Sequence, residues 1–285
     1  MRRRDWLPAA LGLAASPALR AAPPLRVIYP RPPREVDPRH WYPLQLLEMA
    51  LQASGVSFEL QPSADIMVQS RSLLEVAAGN EAVHIAWSMT SREREQRLLP
   101  VRIPLYRGLY GWRLLLVQRD SLERWSQVRS LDDLRKLELI QGHDWPDTEI
   151  LRANGIKVNP ASTADARINM LRAGRGAGYP RSVLEIWEEQ GRQRDWARIE
   201  PRLALHYPTA MYYFVRPGDT RLAGLVERGL NRLLADGRFE QHFEQVYRGD
   251  LRQAGLRHRR VIQLSNPLLP PQTPLDRKEL WYRPA

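Results

Sequence analysis

Apolar positions fall into short runs separated by amphipathic stretches, and their order predicts alternating strands and helices. LRVIY at 25–29 reads as a strand, with a proline-rich loop after it to His40. YPLQLLEMALQASG places Leu44, Leu47, Ala50 and Leu51 on one face of a helix that Gly55 ends. VSFELQ is a second strand, SLLEVAAG a short helix closed by Gly79, and VHIAW at 83–87 a third strand. Repeated strand–helix–strand order predicts a mostly parallel sheet covered by helices.

The pattern changes at LYGWRLLLVQ, 109–118, a long apolar strand. A second α/β unit follows it. SLDDLRK is a helix with Ser130 as cap, LELIQG a strand, and DTEILRANG a helix with Asp147 as cap and Gly155 as terminator. ADARINMLRAG is a helix, AGYP a minimal strand and RSVLEIWEEQGRQ another helix. AMYYFV at 210–215 is a second long apolar strand, and two amphipathic helices follow it. Beyond Arg260 the prolines exclude a helix or central strand and predict an extended path over the surface. The expected organisation is lobe 1 from 22–113 and 209–265, lobe 2 inserted as 114–208, and a proline-rich strap at 266–285. The two long strands would cross between the lobes as a hinge, with a ligand cleft between them.

Composition adds two limits. The 285 residues are 43% hydrophobic and 26% charged, which is globular composition long enough for two cores, and the absence of cysteine excludes disulfides and thiolate metal sites. The first 21 residues, MRRRDWLPAALGLAASPALRA, have a basic start, a short apolar run and small residues before the expected cut. They read as a secretory signal, Sec or twin-arginine, and predict a periplasmic protein. Net charge is +11, of which this leader holds four arginines against one aspartate, leaving +8. Those cations are interleaved with carboxylates, as in SREREQR and EEQGRQRDWAR, so a nucleic-acid partner is not expected.

Catalytic signatures are missing from the chain. The six histidines show no metal spacing, GRGAG follows a helix and breaks the dinucleotide pattern, and neither a nucleophile elbow nor a Walker lysine occurs. No enzyme activity, cofactor or metal is expected. The chemistry concentrates instead at WSMTSRERE, where a strand ends in Ser88 and Thr90 and a charged helix begins. Trp87, Tyr106, Trp112 and Trp145 are candidate cleft walls or ordinary core. Asp144 and Trp145 in QGHDWPDT precede a helix N-terminus; Gln69, Arg71 and Arg181 are further polar candidates.

In this order, the sequence resembles the family 3 solute-binding proteins of bacterial ABC importers, the type that binds polar amino acids. LLEVAAGNEAVHIAWSMTSRERE looks like that family's helix–Gly–strand run into a [Thr/Ser]-x-x-Arg motif, here Ser91 to Arg94, with Pro104 and Tyr106 answering its Pro-Tyr. DARINMLRAGRGAGYPRS resembles its Leu-x-x-Gly-Arg-x-Asp segment, and YYFVRPGDTRLAGLVERGLNRLLADGRFEQHFEQVY its returning strand and terminal helices. The resemblance implies a two-lobed α/β fold of the type II periplasmic-binding-protein kind. It further implies a monomer that captures a small polar or anionic solute for a membrane permease or sensor. It makes Arg94 a carboxylate-binding arginine with Ser88 and Thr90 beside it; the alternative is an exposed turn held by a Glu93–Arg97 pair. The chain departs from the pattern at Ala177 and Ser182, where amino-acid binders carry carboxylates, so standard amino acids are expected to bind poorly. Two other classes stay open: a dehydratase or lyase on the same fold, with Glu185 or Asp144 as acid or base, and an interaction module without a ligand.

Overall fold

A computed structural model describes residues 23–32 and 41–284, so the leader and most of the first proline-rich loop lie outside the described residues. The chain begins with β1 (Leu25–Arg31), α1 (Tyr42–Ser54), β2 (Phe58–Ile66), α2 (Gln69–Ala78), β3 (Ile85–Met89), α3 (Arg92–Arg97) and β4 (Leu99–Val101). It then enters a second unit: β5 (Trp112–Gln118), α4 (Leu122–Ser126), α5 (Leu131–Arg135), β6 (Glu138–Gly142), α6 (Pro146–Ala153), β7 (Lys157–Ala161), α7 (Ala164–Arg172), β8 (Tyr179–Ser182), α8 (Ile186–Arg192), β9 (Ala197–Ile199) and β10 (Leu203–His206). It returns through β11 (Met211–Val215), α9 (Thr220–Ala235) and α10 (Arg238–Ala254), and ends its regular strands with β12 (Arg260–Gln263).

Two sheets result. In the first, β1 pairs in parallel with β2 and lies beside β3, tied by the His84 N–H donating to the Ile28 carbonyl at 2.8 Å; β11 runs antiparallel between β3 and β4. In the second, β7 and β6 are parallel, β6 joins β8 through the Leu139–Gly178 bridge, and β5 lies between β8 and β10. The alternating side chains of each sheet supply both of its cores. In the first sheet, Ile85, Trp87, Tyr213 and Val215 meet the helix layer of α1 and α9, while Ala86, Tyr212 and Phe214 join Leu73 and Val76 of α2. In β5, Leu114 and Leu116 belong to one core, Leu115 and Val117 to the other.

Helix α1 has Pro43 in its first turn and buries Leu44, Leu47 and Leu51 at helical spacing. Gly55, at φ +79°, ends it by donating to the Gln52 carbonyl. Each such leucine contributes about 1.5–3 kcal/mol on burial, so amphipathic spacing is what holds this helix to the sheet.

Some boundaries differ from expectation. Asp147 does not cap α6: Trp145 occupies the N-cap position, and Asp147 in the first turn is ion-paired with Arg113. Helix α8 starts at Ile186, because Tyr179–Ser182 is drawn into the sheet beside β5. The span 209–265 was expected in lobe 1, yet β12 pairs in parallel with β10 at the edge of the second sheet. Four connections therefore run between the two sheets among the described residues: into β5, out of β10, from α10 into β12, and from β12 into the tail.

The first two connections touch. The Tyr207 N–H donates to the Gly111 carbonyl at 3.1 Å, and a Cβ on Gly111 would lie 2.0 Å from the Tyr207 carbonyl oxygen. Only glycine permits that approach. Gly111→Ala is expected to force the crossing strands apart and cost about 1–3 kcal/mol, the scale of overpacking a close contact. Urea unfolding checks this, and an unchanged midpoint would show that the strands separate freely.

The end of the tail lies on the first lobe. Its Leu280 is buried, Trp281 lies on Gly108 and donates through Nε1 to the Pro274 carbonyl at 2.8 Å, and the Tyr282 N–H donates to the Arg107 carbonyl at 2.8 Å.

Candidate functional site

A cavity of about 230 Å³ lies where the two sheets meet. Lobe 1 supplies Gln69 from the start of α2, Met89 from the end of β3 and Met211 from the start of β11. The crossing segment supplies Tyr110 and Arg113, and lobe 2 supplies Trp145, Pro146 and Asp147 at the start of α6, Arg181 in β8 and Glu185 before α8. Strand ends and helix starts converge here because the parallel strands of each unit point their C-terminal ends at the junction.

Its floor is a buried charge cluster. Arg113 and Asp147 form an ion pair with side chains only 2% and 4% exposed. Arg113 Nε also donates to the Tyr207 hydroxyl at 2.9 Å, and that hydroxyl donates to Asp147. Burial works against the Arg113 charge, but Asp147, Tyr207 and Glu185 more than offset it, so its pKa stands above the usual arginine value. Burial likewise raises the Tyr207 phenol well above its ordinary range, which keeps it a neutral donor to the carboxylate.

A second cluster forms the lobe-2 wall. Arg181 Nε donates to both Glu189 oxygens at 2.8 and 2.7 Å, and its Nη2 stands 3.1 Å from Glu185 Oε2. That Glu185 oxygen is buried without an aligned hydrogen bond. The Arg181 and Arg167 guanidiniums lie 4.9 and 4.5 Å from the Trp145 ring centroid, a pair of cation–π contacts that fixes the indole. Burial raises the Tyr110 phenol well above its usual value, and Glu185 raises it further through charge and a hydrogen bond.

Arg94 sits beside this cavity. Its Nη1 donates to Ser88 Oγ at 2.7 Å and to the Met89 carbonyl at 2.6 Å, and Ser88 in turn donates to Gln69 Oε1 at 2.9 Å. The Ser91 hydroxyl accepts from the Arg94 N–H at 3.2 Å, which fixes the first turn of α3. The Glu93–Arg97 pair also forms, at 3.4 Å, on the exposed side. No carboxylate pairs with Arg94 among the described residues. Burial lowers its pKa, and the charges of Asp144, Glu93 and Asp147 only partly restore it. An anion beside it would supply what burial removes.

The other sequence candidates scatter. Asp144 and Trp145 share with Arg94 a crevice of about 150 Å³ between the starts of α3 and α6. The Thr90 hydroxyl donates to Glu95 Oε1 at 2.6 Å, within an ion pair of Glu95 with Arg102. Trp87 is core, edge-on to Trp41 and Tyr213; Tyr106 is core among Tyr42, Tyr110 and Tyr247; Trp112 lies against His206 with the rings tilted. Arg71 is exposed and ion-paired with Glu75. Ser182 is buried and donates to the Leu109 carbonyl at 3.3 Å, so the cavity's carboxylates are Asp147 and Glu185.

Sequence reasoning missed Arg113, Asp147, Tyr207 and Tyr110 as a group. One signal was present: Arg113 is a lone charge in the apolar run LYGWRLLLV, which asks for a buried partner.

No protein-family model matches the chain, and no curated protein matches it in sequence. Solved structures do match in shape. An ancestral arginine-binding protein bound to arginine is 15% identical, with a TM-score of 0.56 over 79% of this chain and 98% of its own. A Salmonella typhimurium periplasmic binding protein of high arginine specificity is 13% identical, with a TM-score of 0.57 over 79% and 100%. A histidine kinase sensor domain with similarity to periplasmic binding proteins is 19% identical, with a TM-score of 0.56 over 78% and 95%. At these identities the likeness speaks to the fold, and the chain has the two-lobed α/β architecture of periplasmic binding proteins.

Proposed function

We propose that this protein is a periplasmic solute-binding protein that captures a small polar or anionic solute between its lobes and presents it to an ABC-type importer or a sensor. The observation that carries this reading is a charged cavity walled from both sheets at the crossing strands, because a ligand there would bridge the lobes and favour closure. Arg94, half-buried and without a carboxylate partner among the described residues, is the group for the ligand's anion. Gln69 and Ser88 hold it in place. Neighbours of the same fold include amino-acid-binding proteins of ABC transporters, which supports solute binding. Among the described residues no helix is long and apolar enough to cross a membrane.

Native mass spectrometry of protein purified from its own periplasm is expected to show a retained small molecule. Arg94→Ala should then weaken rebinding of that molecule, measured by calorimetry, by about 2–4 kcal/mol, the scale for losing one partner of a desolvated charge pair. Equal affinity with an intact circular dichroism spectrum would remove Arg94 from the site.

Glu185 favours a second reading. Its carboxylate lines the cavity, ion-paired with Arg181 and beside the Tyr110 phenol, which is a placement for acid–base work. One neighbour is described as an ancestral amino acid-binding protein that preceded cyclohexadienyl dehydratase, so the fold can host such chemistry. The recovered solute decides: it stays chemically unchanged on long incubation under the binding reading and is converted under the other.

A further inference from the structure

The segment Ser265 to Leu269 passes directly from one lobe to the other at the rim of the inter-lobe crevice. On the lobe-2 side it is clamped to Asn154, the residue that ends α6. The Ser265 N–H and hydroxyl donate to Asn154 Oδ1 at 3.0 and 3.2 Å, and Asn154 Nδ2 donates back to the Ser265 carbonyl at 2.8 Å. Asn266 Nδ2 then donates to the carbonyl of Pro208 in the returning crossing segment at 2.9 Å. The side chain of Leu268 packs against the lobe-2 core.

On the lobe-1 side, the Arg92 N–H at the start of α3 donates to the Leu268 carbonyl at 3.0 Å, and Arg92 Nε donates to the Leu269 carbonyl at 3.3 Å. Leu268 also walls the crevice that α3 and α6 share, opposite Arg94 and Trp145. Only Asn266 and Pro267 separate the two anchor points. Each residue spans at most about 3.3–3.6 Å, and the proline removes further freedom, so little slack remains. Rotating the lobes to part α3 from α6 must break the Arg92 hydrogen bonds or pull Leu268 from its packing.

We infer that Ser265–Leu269 is a tether that sets the separation of α3 and α6, limiting how far the lobes open and holding Arg94 in register with the α6 wall. Two crossing strands alone form a hinge; an anchored link beside the returning segment gives that hinge a stop. This inference goes beyond solute binding and does not depend on the ligand's identity.

Spin labels test it directly, because the chain has no cysteine of its own. Labels at Arg97→Cys on α3 and Arg152→Cys on α6, both exposed positions, report the distance across the crevice by pulsed electron resonance. The labelled protein should give one narrow distribution. Inserting six Gly/Ser residues between Pro267 and Leu268, together with Leu268→Ala so that neither the short span nor the packing links the lobes, adds about 13 Å of reach and should broaden it, with a population several ångströms longer. Leu268→Ala, which deletes the lobe-2 packing without changing chain length, should shift it the same way, and decides the matter if the insertion does not fold. Identical distributions in the folded variants, or a broad two-state distribution already in the unmodified tether, would overturn the inference.

Discussion

Asp147→Ala is expected to destabilise the protein by about 3–5 kcal/mol, the scale for leaving a buried charge without its partner. The side chains of Arg113 and Asp147 are almost fully buried, and Tyr207 bonds to both. Removing the carboxylate leaves Arg113 desolvated and Tyr207 without its acceptor. The ion pair is not itself a large net stabiliser, since taking both charges out of water offsets most of their attraction. Arg113→Met combined with Asp147→Leu should therefore recover most of the loss, while each single change stays costly. Urea unfolding of Asp147→Ala, and of Arg113→Met, Asp147→Leu and their double, measures the loss and the cycle. A loss below about 1 kcal/mol in Asp147→Ala would mean that water reaches Arg113 through the cavity and screens it.

Removing the chain from Thr273 onward should lower stability by about 2–4 kcal/mol. Leu280 is buried and Trp281 covers Gly108, and two such side chains contribute roughly 3–6 kcal/mol of apolar burial before the cost of ordering the chain. Prolines at 274 and 284 reduce that cost by restricting the unfolded chain. The cut leaves the Ser265–Leu269 tether in place, so stability and lobe separation can be read apart. A melting temperature equal to that of the full chain would show that the tail's contacts are too weak to matter, and would favour a docking peptide for a membrane partner.

These expectations place the protein's main energetic commitments away from the arginine that the sequence pointed to first. Arg94 holds its position through Ser88, Ser91 and the Met89 carbonyl. The charges that organise the cavity are Arg113 with Asp147 and Arg181 with Glu185 and Glu189. The cavity's own cations, Arg113 and Arg181, are balanced by the protein's carboxylates, whereas Arg94, in the adjoining crevice, has no carboxylate partner among the described residues. That contrast is why an anionic group on the solute is expected at Arg94 and not at the cavity floor.

The sequence by itself determined most of the elements. Leucines at helical spacing closed by Gly55 specify α1, and apolar runs specify β3, β5 and β11, because local periodicity and backbone preference act within a few residues. The two long apolar strands on either side of the second α/β unit were also legible, as β5 and β11. Residue order across WSMTSRERE further singled out Arg94 and Ser88, which the structure joins with Gln69 in one hydrogen-bond chain. Only the tertiary structure decided which partners meet. Arg113 and Tyr207 are 94 residues apart, and Tyr207 and Asp147 60 apart. Thr90, two residues after Ser88 and just past the end of β3, bonds to Glu95. Strand β12 left the lobe assigned to it because the edge of β10 offered unpaired backbone groups, and a four-residue strand carries no signal of which edge it will join. Pairing across such distances depends on desolvation and geometry at the junction of two sheets, and neither is encoded in local spacing.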